Sequence, residues 1–248
     1  MDTNKEAKKL SLIEDYKLLL RNVPALVTVA FVLSTILMNL AASKIIFNVG
    51  SVALTGGFLL SWTPFLCMDT VTKRFGARAA IMLNVLSAAG NLVTVLYMQI
   101  IAMIPGPADN DYSAFNSVYS SVWFIVLCST IAFIVSGVVN SLLNAAVGKM
   151  FAKNPNSAAA FFIRSYVSTF IGQFVDNFIF FGGVYCIFAP MIWGFSYPFT
   201  TAIGTAILGG IIELLVEVIF SPLGLVIVRR WDRDNIGQEY IEAHNVQA

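Results

Sequence analysis

The sequence predicts an all-α integral membrane protein, a bundle of six transmembrane helices with both termini in the cytoplasm. Hydrophobic residues make up 58% of the 248 residues and charged residues only 12%, whereas soluble domains carry about 25% charged residues. The apolar residues form six stretches of roughly the 20 residues that a membrane helix needs: 23–47, 51–68, 77–104, 122–148, 158–188 and 199–228. We therefore predict a six-helix transmembrane domain over 23–228, between cytoplasmic tails 1–22 and 229–248.

The six stretches differ in how clearly they predict a helix. The second is the shortest and contains Gly56, Gly57 and Pro64, residues that disfavour a regular helix. The fifth is longer than a bilayer requires and contains Gly182 and Gly183. We expect this segment to tilt, to kink or to begin along the membrane interface. The tail before the first stretch is polar, and no cleavable signal peptide is visible in it.

Lysine and arginine alternate between the two sides of the predicted spans. The loops around 48–50, 105–121 and 189–198 contain neither residue. The remaining segments outside the spans contain Lys5, Lys8, Lys9, Lys17 and Arg21 before the first span, then Lys73, Arg74, Arg78, Lys149, Lys153, Arg229, Arg230 and Arg233. Because cytoplasmic loops are enriched in Lys and Arg, this alternation predicts that both termini lie in the cytoplasm.

Cysteine and histidine give no indication of catalysis or metal binding. Cys67, Cys128 and Cys186 lie in apolar surroundings without the spacing of a metal site or a disulfide framework. The only histidine, His244, lies in the C-terminal tail, which excludes a His-based catalytic arrangement inside the membrane. We therefore predict no cofactor, and we expect that the protein is not an enzyme.

Ionisable residues inside the predicted spans are the main functional candidates. A charge in the hydrocarbon costs about 2.5–3.5 kcal/mol on insertion scales, so such residues usually face a protein interior or a water-filled cavity. Depths calculated at about 1.5 Å per residue sort them into two layers. The outer layer is predicted to hold Asn39, Lys44, Gln173 and Asp176. The inner layer is predicted to hold Asp69, Arg164 and Glu217, with Glu213 as a further candidate.

Two pairs of these residues share a helix face. Gln173 and Asp176 are three residues apart, near Thr169, Gly172 and Phe180. This face could bind a flat, hydrogen-bonding molecule, or it could be a polar clamp between helices. Glu213 and Glu217 are four residues apart and disfavour each other's ionisation. They could couple transport to protons or pair with Arg164. Asn39 could instead bridge two helices, and Lys44 could extend its charge to the lipid headgroups.

An ordered set of motifs resembles a known family of membrane transporters. The motifs are Asn39-Leu-Ala-Ala-Ser43-Lys44, Gly56-Gly57, Pro64-Phe65, Asp69-Thr-Val-Thr72-Lys73-Arg74-Phe75-Gly76, Arg164-Ser-Tyr-Val-Ser168, Gln173 with Asp176, and Glu217-Val-Ile-Phe-Ser-Pro222. Their order resembles the vitamin-uptake-type transporters identified as queuosine precursor transporters. The similarity runs from about residue 25 to residue 230 and departs from the family pattern at Thr72 and Asn177.

This resemblance implies uptake of a 7-deazaguanine, such as 7-cyano-7-deazaguanine or its aminomethyl relative, for making the tRNA base queuosine. A guanine-like edge offers N–H donors to a carboxylate, and a flat ring can stack on an aromatic side chain. We expect Asp176 and Gln173 to bind the donor edge, Asn39 or Lys44 the carbonyl, and Phe180 the ring. Asp69 and Arg164 are expected to form a cytoplasmic gate, with Glu213 and Glu217 as gate or coupling groups.

Two other classes of protein are alternatives to a transporter that acts alone. A substrate-binding component of an ATP-driven vitamin importer is also a small six-span protein, but it would need cytoplasmic ATPase and coupling subunits. An intramembrane enzyme is disfavoured because no Cys or Ser lies beside a plausible base. The expected partners are therefore the small-molecule substrate and the lipid bilayer, with no nucleic acid. The sequence leaves homo-oligomerisation open.

Overall fold

A computed structural model describes residues 11–150 and 158–245 of the chain. The described residues are predominantly helical, with a single two-stranded sheet. The elements follow in the order α1 (Leu12–Asn22), α2 (Ala25–Ala41), β1 (Ile45–Val49), β2 (Val52–Thr55), a 3₁₀ helix (Gly56–Leu60), α3 (Trp62–Met103), α4 (Ser113–Tyr119), α5 (Val122–Met150), α6 (Ala158–Phe181), a π-helical segment (Gly182–Phe188), α7 (Ala189–Ile192), α8 (Phe199–Arg233) and α9 (Gln238–His244).

Several of these helices are long and apolar enough to cross a membrane. Four segments in the described residues qualify: Thr70–Met103, Ser113–Ser136, Thr169–Ile192 and Phe199–Phe220. A fifth candidate is the pair α1 and α2, which are bent by 108° relative to each other. These apolar helices confirm the prediction of an all-α membrane protein, whereas the count of six spans stays a prediction.

The predicted helix over 51–68 is wrong for residues 52–55, which form a strand, and the predicted span 23–47 extends beyond the end of its helix. Helix α2 ends at Ala41, and β1 and β2 form an antiparallel hairpin in which Val49 pairs with Val52. The 3₁₀ helix then leads into α3 at Trp62. Residues 45–55 form a short apolar run rich in β-branched side chains. Such a run is compatible with either a strand or a helix, so hydrophobicity alone could not identify the hairpin.

Helix α3 contains a sharp break at Gly76. This residue has φ 83° and ψ 167°, which divides α3 into a segment that ends at Phe75 and a longer one that begins at Ala77. The conformation is accessible essentially only to glycine because any Cβ would clash with the backbone. The boundary lies where the sequence predicts the start of the third span, at residue 77.

The described residues divide into two compact units. The first lies within Met1–Ile36, Leu60–Gly90 and Glu217–Ala248, and the second within Leu37–Leu59 and Asn91–Val216. In the first unit, Leu19, Phe75, Trp231 and Tyr240 belong to one buried hydrophobic cluster. The Phe75 ring makes edge-on contacts with both Trp231 and Tyr240. The C-terminal segment after residue 229 is therefore packed into this core.

Polar contacts in the first unit join α1, α3 and α9. Asp15 of α1 is fully buried and accepts hydrogen bonds from Arg78, including one of 3.0 Å from Nε. His244 Nε2 lies 2.8 Å from Asp15 Oδ1, and the His244 ring stacks on Tyr240. Arg21 also forms an ion pair with Glu239. These contacts attach the C-terminal helix α9 directly to the N-terminal helix α1.

The surroundings of α9 shift the pKa values of two of its side chains. Burial, reinforced by the nearby negative charge of Asp15, raises the pKa of Tyr240 to about 12. Hydrogen bonds from Arg21 and Asn22 lower the pKa of the exposed Glu239 carboxyl. Both residues therefore keep their ordinary protonation states, a neutral phenol and a carboxylate, near neutral pH.

The second unit has an aromatic core. Phe124, Phe181, Tyr185, Trp193 and Tyr197, which we call the aromatic cluster, pack on one another at ring-centroid distances of 4.7 to 6.2 Å. The Tyr185 hydroxyl donates a hydrogen bond to the Ala42 carbonyl at the end of α2. At Gly182 the helix continues as the π-helical segment. The sequence predicts an irregularity at this position of the long fifth stretch.

Candidate functional site

A partly buried carboxyl pairs with a buried hydroxyl between α5 and α6. Ser136 of α5 lies 2.9 Å from the Asp176 Oδ1 of α6 and donates its hydroxyl hydrogen to it. Asp176 is partly buried and Ser136 is buried. A lone carboxylate in an apolar setting is costly unless it is hydrogen-bonded. Ser136 therefore supplies one of the partners that Asp176 requires.

Asn177, the next residue of α6, makes a similar side-chain contact to α8. Asn177 Nδ2 donates to Glu213 Oε2 at 3.0 Å and to the Gln173 carbonyl oxygen, also at 3.0 Å. Glu213 is 9% exposed and is therefore buried. The pair places Glu213 beside the residue that follows Asp176, at the level of the predicted outer layer. We call Ser136, Asp176, Asn177 and Glu213 the acidic cluster.

A glycine on α8 makes room for the Asn177 amide. A Cβ at Gly209 would lie 3.0 Å from Asn177 Nδ2 and 3.1 Å from its Cγ. These distances are tighter than ordinary contacts between such atoms, so any side chain at position 209 would push the amide aside. Gly209 lies four residues before Glu213 and therefore on the same face of α8. The acceptor Glu213 and the glycine that leaves room for the Asn177 donor therefore lie on one face of α8.

The Ser136 hydroxyl can accommodate two protonation states of Asp176. It lies 3.1 Å from the Phe133 carbonyl oxygen as well as 2.9 Å from Asp176 Oδ1, but a hydroxyl has one hydrogen to donate. With Asp176 ionised, that hydrogen goes to the carboxylate. With Asp176 protonated, the carboxyl can donate to Ser136 while Ser136 donates to Phe133. The contact can therefore persist through a proton transfer.

The other predicted substrate residues lie in different parts of the second unit. Phe180 is partly buried and packs against the hydrophobic core of this unit, and Asn39 is buried on α2. Lys44 is exposed between α2 and β1. It lines an open groove of about 810 Å³ together with residues that include Trp193, Phe195 and Tyr197. Lys44 thus lies beside aromatic rings of this unit.

Three predicted gate or coupling residues cannot be compared with these contacts. The side chains of Asp69, Arg164 and Glu217 lie outside the described part of the structure. Within the described residues, no group of three or more His, Cys, Asp and Glu side chains is arranged to hold a metal ion.

Ser136 and the role of Asn177 are not predicted from the sequence. Ser136 lies in a long apolar helix where a serine carries no signal of its own. Asn177 stands beside Asp176 in the sequence, but which neighbouring helix it faces depends on how α6 packs. No spacing in the sequence singles out its contact with Glu213, because the packing of α6 on α8 brings the two together.

Several apolar helices around a buried polar cluster define a multi-pass α-helical membrane protein. The family model described as "Putative vitamin uptake transporter" matches residues 55–227, more than two thirds of the chain. The chain therefore belongs to this family of vitamin-type uptake transporters. The matched region contains the whole acidic cluster, whereas Asn39 and Lys44 precede it. No curated protein and no solved structure matches the chain.

Proposed function

We propose that this protein imports a queuosine precursor of the 7-deazaguanine class, such as 7-cyano-7-deazaguanine or 7-aminomethyl-7-deazaguanine, for tRNA modification. The observation that carries the proposal is the acidic cluster, which holds two carboxyls in an apolar helical setting beside the neutral donors Ser136 and Asn177. Membership of a vitamin-type uptake family supports a small-molecule substrate.

The chemistry of Asp176 suits the hydrogen-bonding edge of a guanine-like ring. Such an edge presents a ring N–H and an exocyclic amino group side by side, and a carboxylate can accept both. Ser136 donates to Oδ1 of Asp176, and each carboxylate oxygen has more than one acceptor site. Asp176 therefore keeps capacity for ligand donors. Gln173, one helical turn earlier, would provide an amide to the same edge.

The remaining parts of the substrate would be bound by residues of the second unit. The ring would stack on Phe180, which packs against the hydrophobic core of this unit. Asn39 or Lys44 would donate to the ring carbonyl, since both side chains carry N–H groups. Glu213 would act as the coupling group. It can accept the hydrogen bond from Asn177 both as a carboxylate and as a neutral acid, so it can change its protonation state while it keeps this contact.

Uptake of a labelled substrate tests this function directly. We expect cells that cannot synthesise 7-deazaguanines to accumulate radiolabelled 7-cyano-7-deazaguanine when they express the protein. Asp176→Asn replaces an acceptor oxygen with a donor, so binding should weaken by about 2 kcal/mol, roughly 30-fold. The matched control is Asp109→Asn, which changes an exposed loop carboxyl and should leave uptake unchanged.

Reconstitution of the purified chain separates this function from its rivals. Uptake into proteoliposomes that contain this chain alone would exclude a need for an ATPase partner. An analogue without the exocyclic amino group should compete poorly, because a site built for that group is left with an unpaired acceptor. Unchanged affinity for 7-cyano-7-deazaguanine in well-inserted Asp176→Asn protein would remove Asp176 from the site.

A further inference from the structure

The short helix α1 has three chemically distinct sides. One side is packed into the protein and includes Asp15 and Leu19, both fully buried. A second side is apolar but uncovered: Leu12 is 68%, Ile13 69% and Leu20 43% exposed. The third side is charged and exposed, with Glu14, Lys17 and Arg21. On a helical projection of about 100° per residue, Lys17 is about 140° from Leu12 but about 40° from Ile13 and about 60° from Leu20, so the charged side borders the apolar side.

The way α1 joins α2 orients it relative to a membrane span. Pro24 interrupts the helix, because the residue before a proline disfavours helical geometry, and Val23 is extended with ψ 134°. The chain then bends by 108° into α2. The 17 residues of α2 include no charged residue, whereas the 11 residues of α1 include four. A span along α2 therefore leaves α1 nearly parallel to the membrane surface.

Helix α2 also carries an exposed apolar stripe. Leu26, Val29 and Leu33 recur at helical spacing near the start of α2 and are between 52% and 80% exposed. Uncovered leucines on a membrane span face acyl chains. The exposed apolar residues of α1 precede this stripe in the chain, so a span along α2 would bring them to the boundary between acyl chains and headgroups.

From these observations we propose that α1 is an interfacial helix that binds the cytoplasmic leaflet of the lipid bilayer. Leu12, Ile13 and Leu20 insert between the headgroups and the acyl chains, while Lys17 lies at the level of the lipid phosphates. Helices of this kind bury their apolar face about 5–10 Å into that boundary. The cytoplasmic side follows from the Lys and Arg of the N-terminal segment.

The packed side of α1 holds this surface in place. Arg78 donates to Asp15, and His244 lies 2.8 Å from the same carboxyl. The Tyr16 hydroxyl donates to the Met82 carbonyl oxygen at 3.2 Å. Because these contacts fix the rotation of α1 about its own axis, the apolar side faces one direction only. A freely rotating helix could not present a fixed lipid-binding face.

Spin-label accessibility in lipid nanodiscs tests the proposal. Single cysteines are introduced by Leu12→Cys and Leu20→Cys on the apolar side, and by Glu14→Cys and Lys17→Cys as matched controls on the same helix. The three native cysteines are first replaced by alanine. We expect labels at 12 and 20 to collide more often with oxygen, which concentrates in lipid, and several-fold less often with a water-soluble nickel chelate than labels at 14 and 17.

Photo-crosslinking in native membranes provides a second test that keeps the native cysteines. A benzophenone side chain at position 12 or 20 should form adducts with phospholipid, and one at position 14 should not. Equal access of the nickel chelate to all four labelled positions would overturn the proposal, because α1 would then lie in water. Crosslinks from 12 and 20 to another protein chain, with both collision rates low, would also overturn it.

Discussion

At the scale of single residues, two neighbours on α6 reach two different helices. Asp176 contacts Ser136 on α5, and Asn177 contacts Glu213 on α8. Consecutive residues of a helix point about 100° apart, so one turn of α6 can serve both neighbours at once. A small rotation of α6 would therefore change the hydrogen bonding of both carboxyls together.

Loss of the Asn177 amide should destabilise this part of the protein. Asn177→Ala removes the donor to Glu213 and leaves a buried acceptor without it, at a cost of about 1.5–3 kcal/mol. We expect a lower midpoint in thermal or denaturant unfolding of the purified protein. A double-mutant cycle with Glu213→Gln should show coupling between the two positions, and strictly additive effects would contradict the contact.

A methyl group at position 209 should disturb the same contact indirectly. Gly209→Ala places a Cβ about 3 Å from the Asn177 amide, so the amide must move and substrate affinity should fall. Gly90→Ala is the matched control, because its Cβ would meet only ordinary contacts at 3.6 and 3.7 Å. This control should keep its affinity and gain up to about 1 kcal/mol from helix propensity. Equal affinities for the two variants would refute the role of Gly209.

Part of this site could be predicted from the sequence. A carboxyl and an amide three residues apart in an apolar stretch single out Asp176 and Gln173, because charges in membranes are rarely incidental. Ser136 could not be found in this way, since serine is common in membrane helices. Its partner is 40 residues away in the chain, and that distance is closed only by the packing of α5 on α6.

At the scale of elements, the hairpin shows how the unpaired backbone groups at a strand edge find hydrogen-bond partners. Val49 and Val52 flank its two-residue turn, so Asn48 and Ala53 form the next pair along the ladder. Asn48 and Ala53 form no hydrogen bonds with each other, because their backbone N–H and C=O groups point away from the partner strand. Thr205 of α8 satisfies both groups of Ala53: its hydroxyl oxygen accepts from the Ala53 N–H at 2.9 Å, and it donates to the Ala53 carbonyl at 3.1 Å.

Removal of this hydroxyl should loosen the hairpin. Thr205→Val keeps the shape of the side chain but leaves two buried backbone groups of Ala53 unpaired, which should cost about 2 kcal/mol or more. The measurement is hydrogen exchange of residues 45–55 together with the unfolding midpoint. Thr200→Val, at an exposed position of the same helix, should change neither quantity. Unaltered exchange in Thr205→Val would show that the hairpin does not depend on Thr205.

At the scale of the whole molecule, the contact between α1 and α9 limits the topology. Arg21 pairs with Glu239, and Asp15 with His244, so the two ends of the described chain lie close together, and the predicted topology has both in the cytoplasm. That topology requires an even number of crossings. With α2 and the four long apolar segments counted as five crossings, the shorter apolar helix Gly56–Met68 is expected to make the sixth.

Reporter fusions can test this topology. A reporter inserted at residue 112 and one at the C-terminus should label opposite sides of the membrane, with the C-terminal reporter in the cytoplasm. A third reporter at the N-terminus should agree with the C-terminal one. Labelling of residue 112 and the C-terminus on the same side would contradict both the six-span topology and the depths derived from it.

The pairing of the first helix with the last also has a consequence for biosynthesis. Arg21 and Glu239 are 218 residues apart in the chain. Because ribosomes add about 5–20 residues per second, roughly 10–45 s pass between the synthesis of α1 and that of α9. During that interval Phe75 and Asp15 lack the cover that α9 provides. A chain truncated before Gln238 would never acquire it. We therefore expect cellular proteases to remove C-terminally truncated chains faster than complete ones.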